Sequence, residues 1–280
     1  MPMRYGSHLS IRKGYAAAVK EAQRLGAGSF QYFPKNPRSL APKTFDRTDA
    51  GRCASLSRSL RIVSVAHSPY PCNLASEDDG VRKRTVLSLL NDLDIAEACG
   101  SVGVVVHFGI YKGPDILQGY RNIIAALDEI TSNWNGSAKL LIENQAGDHA
   151  NMGTTFEELA QVRNLSRNPE RIGFCLDSCH LFASGVWKGD PDAKWAETAE
   201  KLGVLREIAA VHFNDSLFPS GSKRDRHAQI GSGLIGEAGL RWLLTLPALR
   251  EAPFVLETAP DGDGTHKAQL KTMQEWGNRA

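Results

Sequence analysis

The sequence predicts a single (β/α)8 TIM barrel that spans residues 1–280 and carries its active site at the C-terminal face of the strands. The length of 280 residues suits one domain of this kind, which needs about 250. Apolar runs of strand character recur eight times, each followed by a polar turn and a helical pattern. Runs that are apolar throughout are typical of strands buried on both faces. A doubly wound open sheet is the alternative, but it usually has fewer strands.

The predicted strands are spread evenly along the chain. They comprise Tyr5–His8, Ser29–Phe33, Ile62–His67, Gly103–His107, Lys139–Glu143, Ile172–Asp177, Ala210–His212 and Phe254–Glu257. After the third strand, apolar residues at positions 86, 89, 90, 93 and 96 have helical spacing, and Gly100 supplies a stop. Positions 123, 124, 127 and 130 repeat this spacing after the fourth strand. After the fifth strand, Thr155 and Glu158 predict a capping box at the start of a helix.

The composition is that of an ordinary folded protein. Hydrophobic residues make up 42% and charged residues 23% of the chain, and the net charge of +2 does not by itself indicate a nucleic-acid-binding protein. The five cysteines are an odd number without a C-x-x-C pair, which argues against disulfide scaffolds and zinc ribbons and favours a reducing, cytoplasmic location. No apolar run approaches the roughly 20 residues of a membrane span, and the first residues lack a signal-peptide pattern. We therefore expect no membrane partner.

Side chains able to bind metal end six consecutive predicted strands. They are His67, His107, Glu143, Asp177, His212 and Glu257, and three more, His180, Asp225 and His227, follow closely in the chain. Parallel strands of a barrel end at one face, so the first six should converge there. Asp225 and His227 are two residues apart, which places both on one side of an extended loop.

Taken singly, each of these residues has an ordinary interpretation. A histidine at a strand end is more often a hydrogen-bonded structural residue than a ligand, whereas a buried carboxylate needs a compensating partner. Chance does not explain why such residues stand at the ends of six consecutive strands. Imidazoles and carboxylates without thiolates suit zinc, with manganese or iron as substitutes at some positions, and nine ligands exceed the needs of one tetrahedral ion. The sequence thus predicts a cluster of two or three metals.

The same segments resemble the endonuclease IV family of apurinic/apyrimidinic endonucleases. The resemblance covers essentially the whole chain and is carried by HSPYPCNLA at 67–75, VVVHFG at 104–109, LLIENQAG at 140–147, GFCLDSCHLFASG at 173–185, VHFNDSLFPSGSKRDRHAQIGSG at 211–233 and FVLETAPD at 254–261. It implies three zinc ions per chain. The first would be held by His67 and His107, with Glu143 as a bridge to a second that also takes Asp177, His212 and Glu257, and the third by His180, Asp225 and His227.

The resemblance also implies the reaction. A zinc-dependent phosphodiesterase of this family, a deoxyribonuclease IV, cleaves damaged double-stranded DNA on the 5′ side of abasic sites in base excision repair, leaving a 3′ hydroxyl, and trims blocked 3′ ends. Paired zinc ions suit this chemistry because they lower the pKa of a shared water and clamp an in-line displacement. Glu143 would be catalytic through its bridging charge. We expect the protein to act as a monomer.

Residues at the mouth of the predicted barrel are candidates for DNA binding. Arg38 and Tyr70 match family positions that enter the duplex, and Lys35 and Arg226 could contact phosphates, although each Lys or Arg also fits a solvated surface charge. An abasic nucleotide has no base to unpair, so its extrusion into a pocket is less costly than flipping an intact nucleotide.

Three positions depart from the family pattern and concern DNA affinity and rate rather than the metals. Pro71 follows Tyr70 where an apolar residue such as Leu or Ile is common, Phe108 replaces a usual Pro, and Leu217 stands where Lys is usual.

Two other functions remain alternatives. A TIM-barrel sugar isomerase or epimerase would use one or two divalent metals, which leaves His67, His180 and the Asp225–His227 pair without a role. A metal-stabilised DNA-binding protein without catalysis would follow if the altered mouth loops prevented productive docking. The G-x-G-x-x-G spacing at 231–236 lies in a loop and is not assigned to a dinucleotide; we expect its glycines to let the loop turn near the substrate phosphate.

Overall fold

Eight parallel strands close into a barrel in the computed structural model, which describes residues 3–148, 151–191 and 193–278. The barrel strands are β1 (Arg4–His8), β2 (Ser29–Tyr32), β3 (Val63–His67), β4 (Gly103–Val106), β5 (Lys139–Glu143), β6 (Ile172–Asp177), β7 (Ile208–His212) and β10 (Pro253–Leu256). Each pairs with its neighbour in the chain, and β10 pairs with β1 to close the ring. The predicted fold class is confirmed. Predicted and observed strand ends differ by up to two residues, because ladder pairing rather than apolar character defines the last residue.

Helices surround the barrel. They are α1 (Tyr15–Arg24), α2 (Arg47–Leu60), α3 (Asp79–Cys99), α4 (Ile116–Asn133), α5 (Phe156–Leu165), α6 (Ser178–Ala183), α7 (Lys194–Lys201), α8 (Gly236–Thr245) and α9 (Lys267–Gly277). The capping box at Thr155 and Glu158 is present, and α3 ends at Gly100 with a left-handed φ of 70°, as predicted. Among the described residues, no helix combines the length and the apolar character needed to cross a bilayer.

The apolar core has two parts, one inside the barrel and one between the strands and the helices. The inner part is a small layer, which consists of Val65, Val105, Leu141, Cys175, Ala210 and Val255. Alternate residues of a strand point to the same face. The residue two positions beyond each member of this layer therefore also points into the barrel, one step closer to its C-terminal end. The apolar layer is thus the floor on which the polar residues at the strand ends rest.

A short hairpin lies beyond the seventh barrel strand. Its strands β8 (Asp215–Ser216) and β9 (His227–Ala228) pair antiparallel. The buried Asp215 carboxylate accepts hydrogen bonds from the backbone N–H groups of Gly231, Gly233 and Ile235 at 2.9–3.0 Å. A Cβ at Gly233 would come within 2.5 Å of that carboxylate, which explains the glycine. The amides of the glycine-rich loop therefore bind a carboxylate of the chain itself rather than a phosphate.

We predict that Asp215→Ala destabilises the protein by about 3 kcal/mol, because several buried N–H groups lose their acceptor at once. Urea unfolding measures this change. Glu170→Ala, which removes an exposed carboxylate from a surface ion pair with Arg171, is the control and should change stability by less than about 1 kcal/mol. Equal effects of the two substitutions would contradict the anchoring role of Asp215.

Candidate metal centre

All nine candidate ligands lie around one cavity of about 420 Å³ at the C-terminal ends of the strands. Its lining includes six of them, His67, His107, His180, Asp225, His227 and Glu257. Glu143, Asp177 and His212 lie beneath and are fully buried. Strand periodicity accounts for the six at the strand ends, each of which follows a residue of the inner apolar layer by two positions.

The possible donor atoms form three principal groups, within each of which they lie no more than 4.8 Å apart. The groups are His67 with His107 and Glu143; Glu143 with Asp177, His212 and Glu257; and His180 with Asp225 and His227. Glu143 is common to the first two groups, which is the position of a bridging ligand. Only nitrogen and oxygen atoms are involved, a donor set that fits zinc.

The first group surrounds one oxygen of Glu143. Its Oε2 lies 2.9 Å from His107 Nε2 and 3.7 Å from His67 Nε2. Among the residues that the structure describes, this buried oxygen has no partner with hydrogen-bond geometry. On the far side of its ring, His67 Nδ1 lies 2.8 Å from the Ser68 carbonyl and donates to it, so Nε2, which faces Glu143, is the nitrogen left free to bind a metal. An unpaired buried carboxylate oxygen facing two imidazoles is the arrangement that a cation would satisfy.

The second group depends on Asp177 and His212. His212 Nδ1 lies 2.8 Å from Glu143 Oε1, 3.2 Å from Glu257 Oε2 and 3.8 Å from Asp177 Oδ2. Asn214 positions the two outer carboxylates, since its side chain donates to Asp177 Oδ2 at 2.7 Å and accepts from the Glu257 backbone N–H at 2.9 Å. Three carboxylates thus face one imidazole nitrogen.

The third group depends on the start of α6. Asp177 caps this helix and accepts the backbone N–H of His180 at 2.6 Å, so one local structure explains their spacing of three residues. His180 Nδ1 donates to the Asn144 carbonyl at 2.9 Å, and its Nε2 faces Asp225 Oδ2 at 3.1 Å. His227 Nε2 lies 3.1 Å from the other oxygen of Asp225. The Asp225 carboxylate therefore sits between two imidazole nitrogens.

The charges of the cluster shift one another's pKa values. Burial opposes the charged forms of His180, His212 and His227, but neighbouring carboxylates, and at His212 also the sulfur of Cys175, outweigh it and raise the pKa of His180 and His212 well above the ordinary value and that of His227 to about 9. Conversely, the imidazoles outweigh burial and lower the pKa of Glu143 well below its ordinary value and that of Glu257 to about 2. Without metal, protonated imidazoles balance the buried carboxylates.

Asp177 is the exception among the carboxylates. Its burial is the largest influence and outweighs the neighbouring histidines, so its pKa is raised. The negative charge of Asp177 is therefore the one among the four carboxylates that the protein alone compensates least. Among the described residues, its only side-chain hydrogen-bond donor is Asn214. A cation shared with Glu143 and Glu257 would supply the missing charge.

Two buried thiols lie beside the cluster. Cys175 lies close to Glu143 and His212, and Cys179 lies close to Asp177 and His227. Burial raises the pKa of each thiol to about 12. Both are therefore protonated near neutral pH, whereas metals bind the thiolate.

The rim of the cavity carries the residues proposed to meet DNA. Tyr70 is 70% exposed, and its ring lies 5.1 Å from that of Phe33, which in turn contacts His67. Tyr70 also donates its backbone N–H to the Pro37 carbonyl, which joins its loop to the one that carries the exposed residue Arg38. Arg226 lines the cavity.

Lys35 does not lie on this rim. It is 5% exposed, and its Nζ donates to Asp92 at 2.5 Å and to the Ser88 carbonyl at 2.7 Å on α3. The prediction that Lys35 contacts a phosphate is wrong, because its charge is already paired inside the protein. The residue instead anchors the Arg38 loop to the barrel.

The departures from the family pattern lie in different surroundings. Phe108 is fully buried and packs edge-on against Tyr120, so it is a core residue. Pro71 and Leu217 are exposed, the latter beside the hairpin. Only the two exposed positions can influence a bound duplex directly.

Sequence reasoning missed three buried amides that touch the cluster, which are Gln31, Asn144 and Asn214. Asn144 pairs with the backbone of Asp177 through both its amide nitrogen and its oxygen. Asn144 and Asn214 each follow a predicted ligand by one or two residues, and Gln31 lies in phase with the inner face of β2. These positions in the chain were the signal that could have identified the three amides from the sequence.

Comparisons with known proteins identify the family. Residues 19–279 match the model of a family described as xylose isomerase-like TIM barrel. The chain is 41% identical over 256 residues to a probable endonuclease 4 of Symbiobacterium thermophilum and 38% identical over 257 residues to that of Heliobacterium modesticaldum, with 91% of this chain and 93% of each relative covered.

A solved structure shows the same relationship. The crystal structure of endonuclease IV from Thermus thermophilus superposes with a TM-score of 0.86 at 33% identity, covering 99% of this chain and 100% of the other. The description of the matching family model fits sugar isomerases as well, but the relatives at these identities are named as endonuclease IV or probable endonuclease 4, and they match this chain over nearly their full length. The chain belongs to the endonuclease IV family.

Proposed function

We propose that this protein is a zinc-dependent DNA repair endonuclease that hydrolyses the phosphodiester 5′ to abasic sites in duplex DNA. It leaves a 3′ hydroxyl and a 5′ deoxyribose phosphate, and it also removes blocking groups from 3′ ends. The observation that carries this proposal is the convergence of nine imidazole and carboxylate groups around one cavity, in a chain of the endonuclease IV family.

The donor set fits three zinc ions. One would be held by His67, His107 and Glu143, a second by Glu143, Asp177, His212 and Glu257, and a third by His180, Asp225 and His227. When bound, zinc supplies Lewis acidity and lowers the pKa of a bound water. Two observations support this assignment: Oε2 of Glu143 has no partner with hydrogen-bond geometry among the described residues, and the protein alone compensates the charge of the deeply buried Asp177 poorly.

The chain itself fixes the directions of the ligands. The Ser68 and Asn144 carbonyls accept from the Nδ1 atoms of His67 and His180, which leaves each Nε2 facing a carboxylate. Such partners hold a ring in one tautomer and one orientation before any ligand arrives. The site is therefore preorganised, and little reorganisation is needed when substrate charge develops.

The rim suits a duplex with an extruded nucleotide. Tyr70 projects above the cavity and is supported from below by the ring of Phe33, so it offers an exposed aromatic surface next to the metal-binding groups. Arg226 lines the cavity, and its guanidinium donates to the Asp225 carbonyl, which keeps a positive charge beside the third group. The positive charge of Arg226 suits the backbone phosphates of DNA.

A sugar isomerase or epimerase is less well supported. That chemistry needs one or two divalent ions, whereas the group of His180, Asp225 and His227 forms a further complete set of donors.

We predict that the zinc-loaded protein cleaves a duplex with one synthetic abasic site and leaves an undamaged duplex intact, and that Glu143→Gln lowers the cleavage rate by at least about 100-fold. The substitution removes the charge at the bridging position, and losing one electrostatic stabiliser costs at least this much in an active site. Gel analysis of end-labelled duplex measures both rates. Equal inertness of the wild-type protein toward both duplexes would exclude the proposed function, and undiminished turnover of the variant would show that the bridge is misassigned.

We predict that Arg38→Ala weakens binding to abasic duplex chiefly at low salt, and that the slope of log affinity against log salt concentration falls by about 0.9 for one lost phosphate contact. Fluorescence anisotropy over a salt series measures this slope. Arg167→Ala is a matched control, because Arg167 is an exposed arginine that follows α5 at the opposite end of the barrel. If both variants bind as the wild type does, Arg38 is not in the interface.

We predict that removal of the metal makes stability fall as the pH rises. Burial disfavours the charged form of His227, but Asp225 and Asp177 outweigh it and raise its pKa to about 9 from 6.5. Stabilisation by a group with a raised pKa is fully present below the unfolded value and is lost as the pH rises through the folded value. The urea midpoint of the metal-free protein should therefore be lower at pH 9 than at pH 6.5.

The zinc-loaded protein is the control for this experiment. Zinc binds the neutral imidazole, so its stabilising effect grows as protons leave the site and the midpoint should change less between these pH values. Identical midpoints of the metal-free protein at the two pH values would contradict the assigned charge state of His227.

A further inference from the structure

Gln31 occupies a position in the barrel that corresponds to those of the strand-end ligands. It lies on β2, two residues beyond the fully buried Ser29, and it is itself fully buried. Its neighbours Phe30 and Tyr32 belong to the apolar core outside the barrel, so the Gln31 side chain points inward. The amide therefore stands in the same layer as the candidate ligands, although it belongs to none of the three donor groups.

The Gln31 amide is fully hydrogen-bonded to this layer. Its Nε2 donates to Glu257 Oε1 at 2.6 Å and faces His8 Nδ1 at 3.2 Å, while its Oε1 lies 2.7 Å from His212 Nε2. The Gln31 side chain thus contacts Glu257 and His212, two members of the second donor group, through the atoms that do not face the centre of that group.

The chemistry of these partners fixes the orientation of the amide. A carboxylate only accepts, so the amide nitrogen must face Glu257, because the reversed amide would bring two oxygens to 2.6 Å. The amide oxygen must then face His212, and it can only accept. His212 Nε2 consequently carries the hydrogen.

The orientation of Gln31 determines which nitrogen of His212 can bind a metal. With the hydrogen on Nε2, the neutral ring presents its lone pair on Nδ1, the atom that lies 2.8 Å from Glu143 and 3.2 Å from Glu257. The alternative tautomer would place a hydrogen on Nδ1 and leave the Nε2 lone pair against the Gln31 oxygen.

We propose that Gln31 is a positioning residue that fixes the Nδ1-ligating tautomer of His212 and the orientation of the Glu257 carboxylate for the second zinc ion. This inference rests on the proposed function for the identity of the metal. Gln31 acts only through these two side chains and does not itself bind the ion. A purely structural glutamine would contribute to stability alone and leave the affinity for zinc unchanged.

Substitution of Gln31 tests the proposal. Gln31→Met keeps the length of the side chain but removes both the donor to Glu257 and the acceptor for His212. We expect the affinity for the second zinc ion, measured by competition with a chromogenic chelator, to fall 10- to 100-fold, the usual effect of losing a partner that orients metal ligands. The other two ions should keep the wild-type affinity. Asn122→Leu is the control, because it also removes a buried amide, bonded to the carbonyls of Ala75 and Ser76 on the outer side of the barrel.

A second measurement does not depend on the folding of the variant. Long-range ¹H–¹⁵N correlation spectra of the zinc-loaded wild-type protein should show His212 with the hydrogen on Nε2. A hydrogen on Nδ1, wild-type zinc affinity of Gln31→Met, or a wild-type protein that binds no zinc would each overturn the proposal. Neither measurement uses DNA cleavage, so a protein that binds zinc with this tautomer but leaves abasic DNA intact would refute the proposed endonuclease while supporting the role of Gln31.

Discussion

The organising constraint of this protein is the convergence of four carboxylates and five imidazoles, buried or half-buried, at one end of a closed barrel. Six of them stand directly above a layer of small and apolar side chains, because each follows a member of that layer by two residues, at the end of a strand or directly after it. Burial of charge is costly unless an opposite charge compensates it. The metal-free site meets this requirement with protons on its histidines, and bound cations would meet it with ligand bonds instead.

The surrounding structure holds this cluster in a single arrangement. Backbone carbonyls orient two of the rings, and buried amides orient the carboxylates and the central histidine. The hairpin that contributes His227 is tied in turn to the glycine-rich loop through Asp215. Behind the rim, the buried Lys35–Asp92 ion pair and the backbone hydrogen bond from Tyr70 to Pro37 fix the two loops that would meet DNA. The candidate metal ligands and the candidate DNA-binding loops are thus both held in place by hydrogen bonds and ion pairs with the rest of the protein.

The sequence was sufficient for the barrel and for the convergence of its strand ends, since both follow from local periodicity and from the parallel arrangement of strands. It was insufficient where a side chain's surroundings come from distant segments. Lys35 looked like a surface charge because its partner Asp92 is 57 residues away on α3. Gln31 carried no ligand chemistry of its own, and its importance depends on His212, 181 residues further along the chain. Such pairings are set by tertiary structure, which no short pattern records.

Counting the metal ions bound to the folded chain tests the predicted metal cluster most directly. Native mass spectrometry of protein refolded in the presence of zinc, compared with a sample exchanged against chelator, measures the mass that the site retains. Three zinc ions per chain are predicted, because the nine side chains form three sets of donors, two of which share Glu143. A folded chain that retains one zinc ion or none would contradict the interpretation of these residues as a metal cluster.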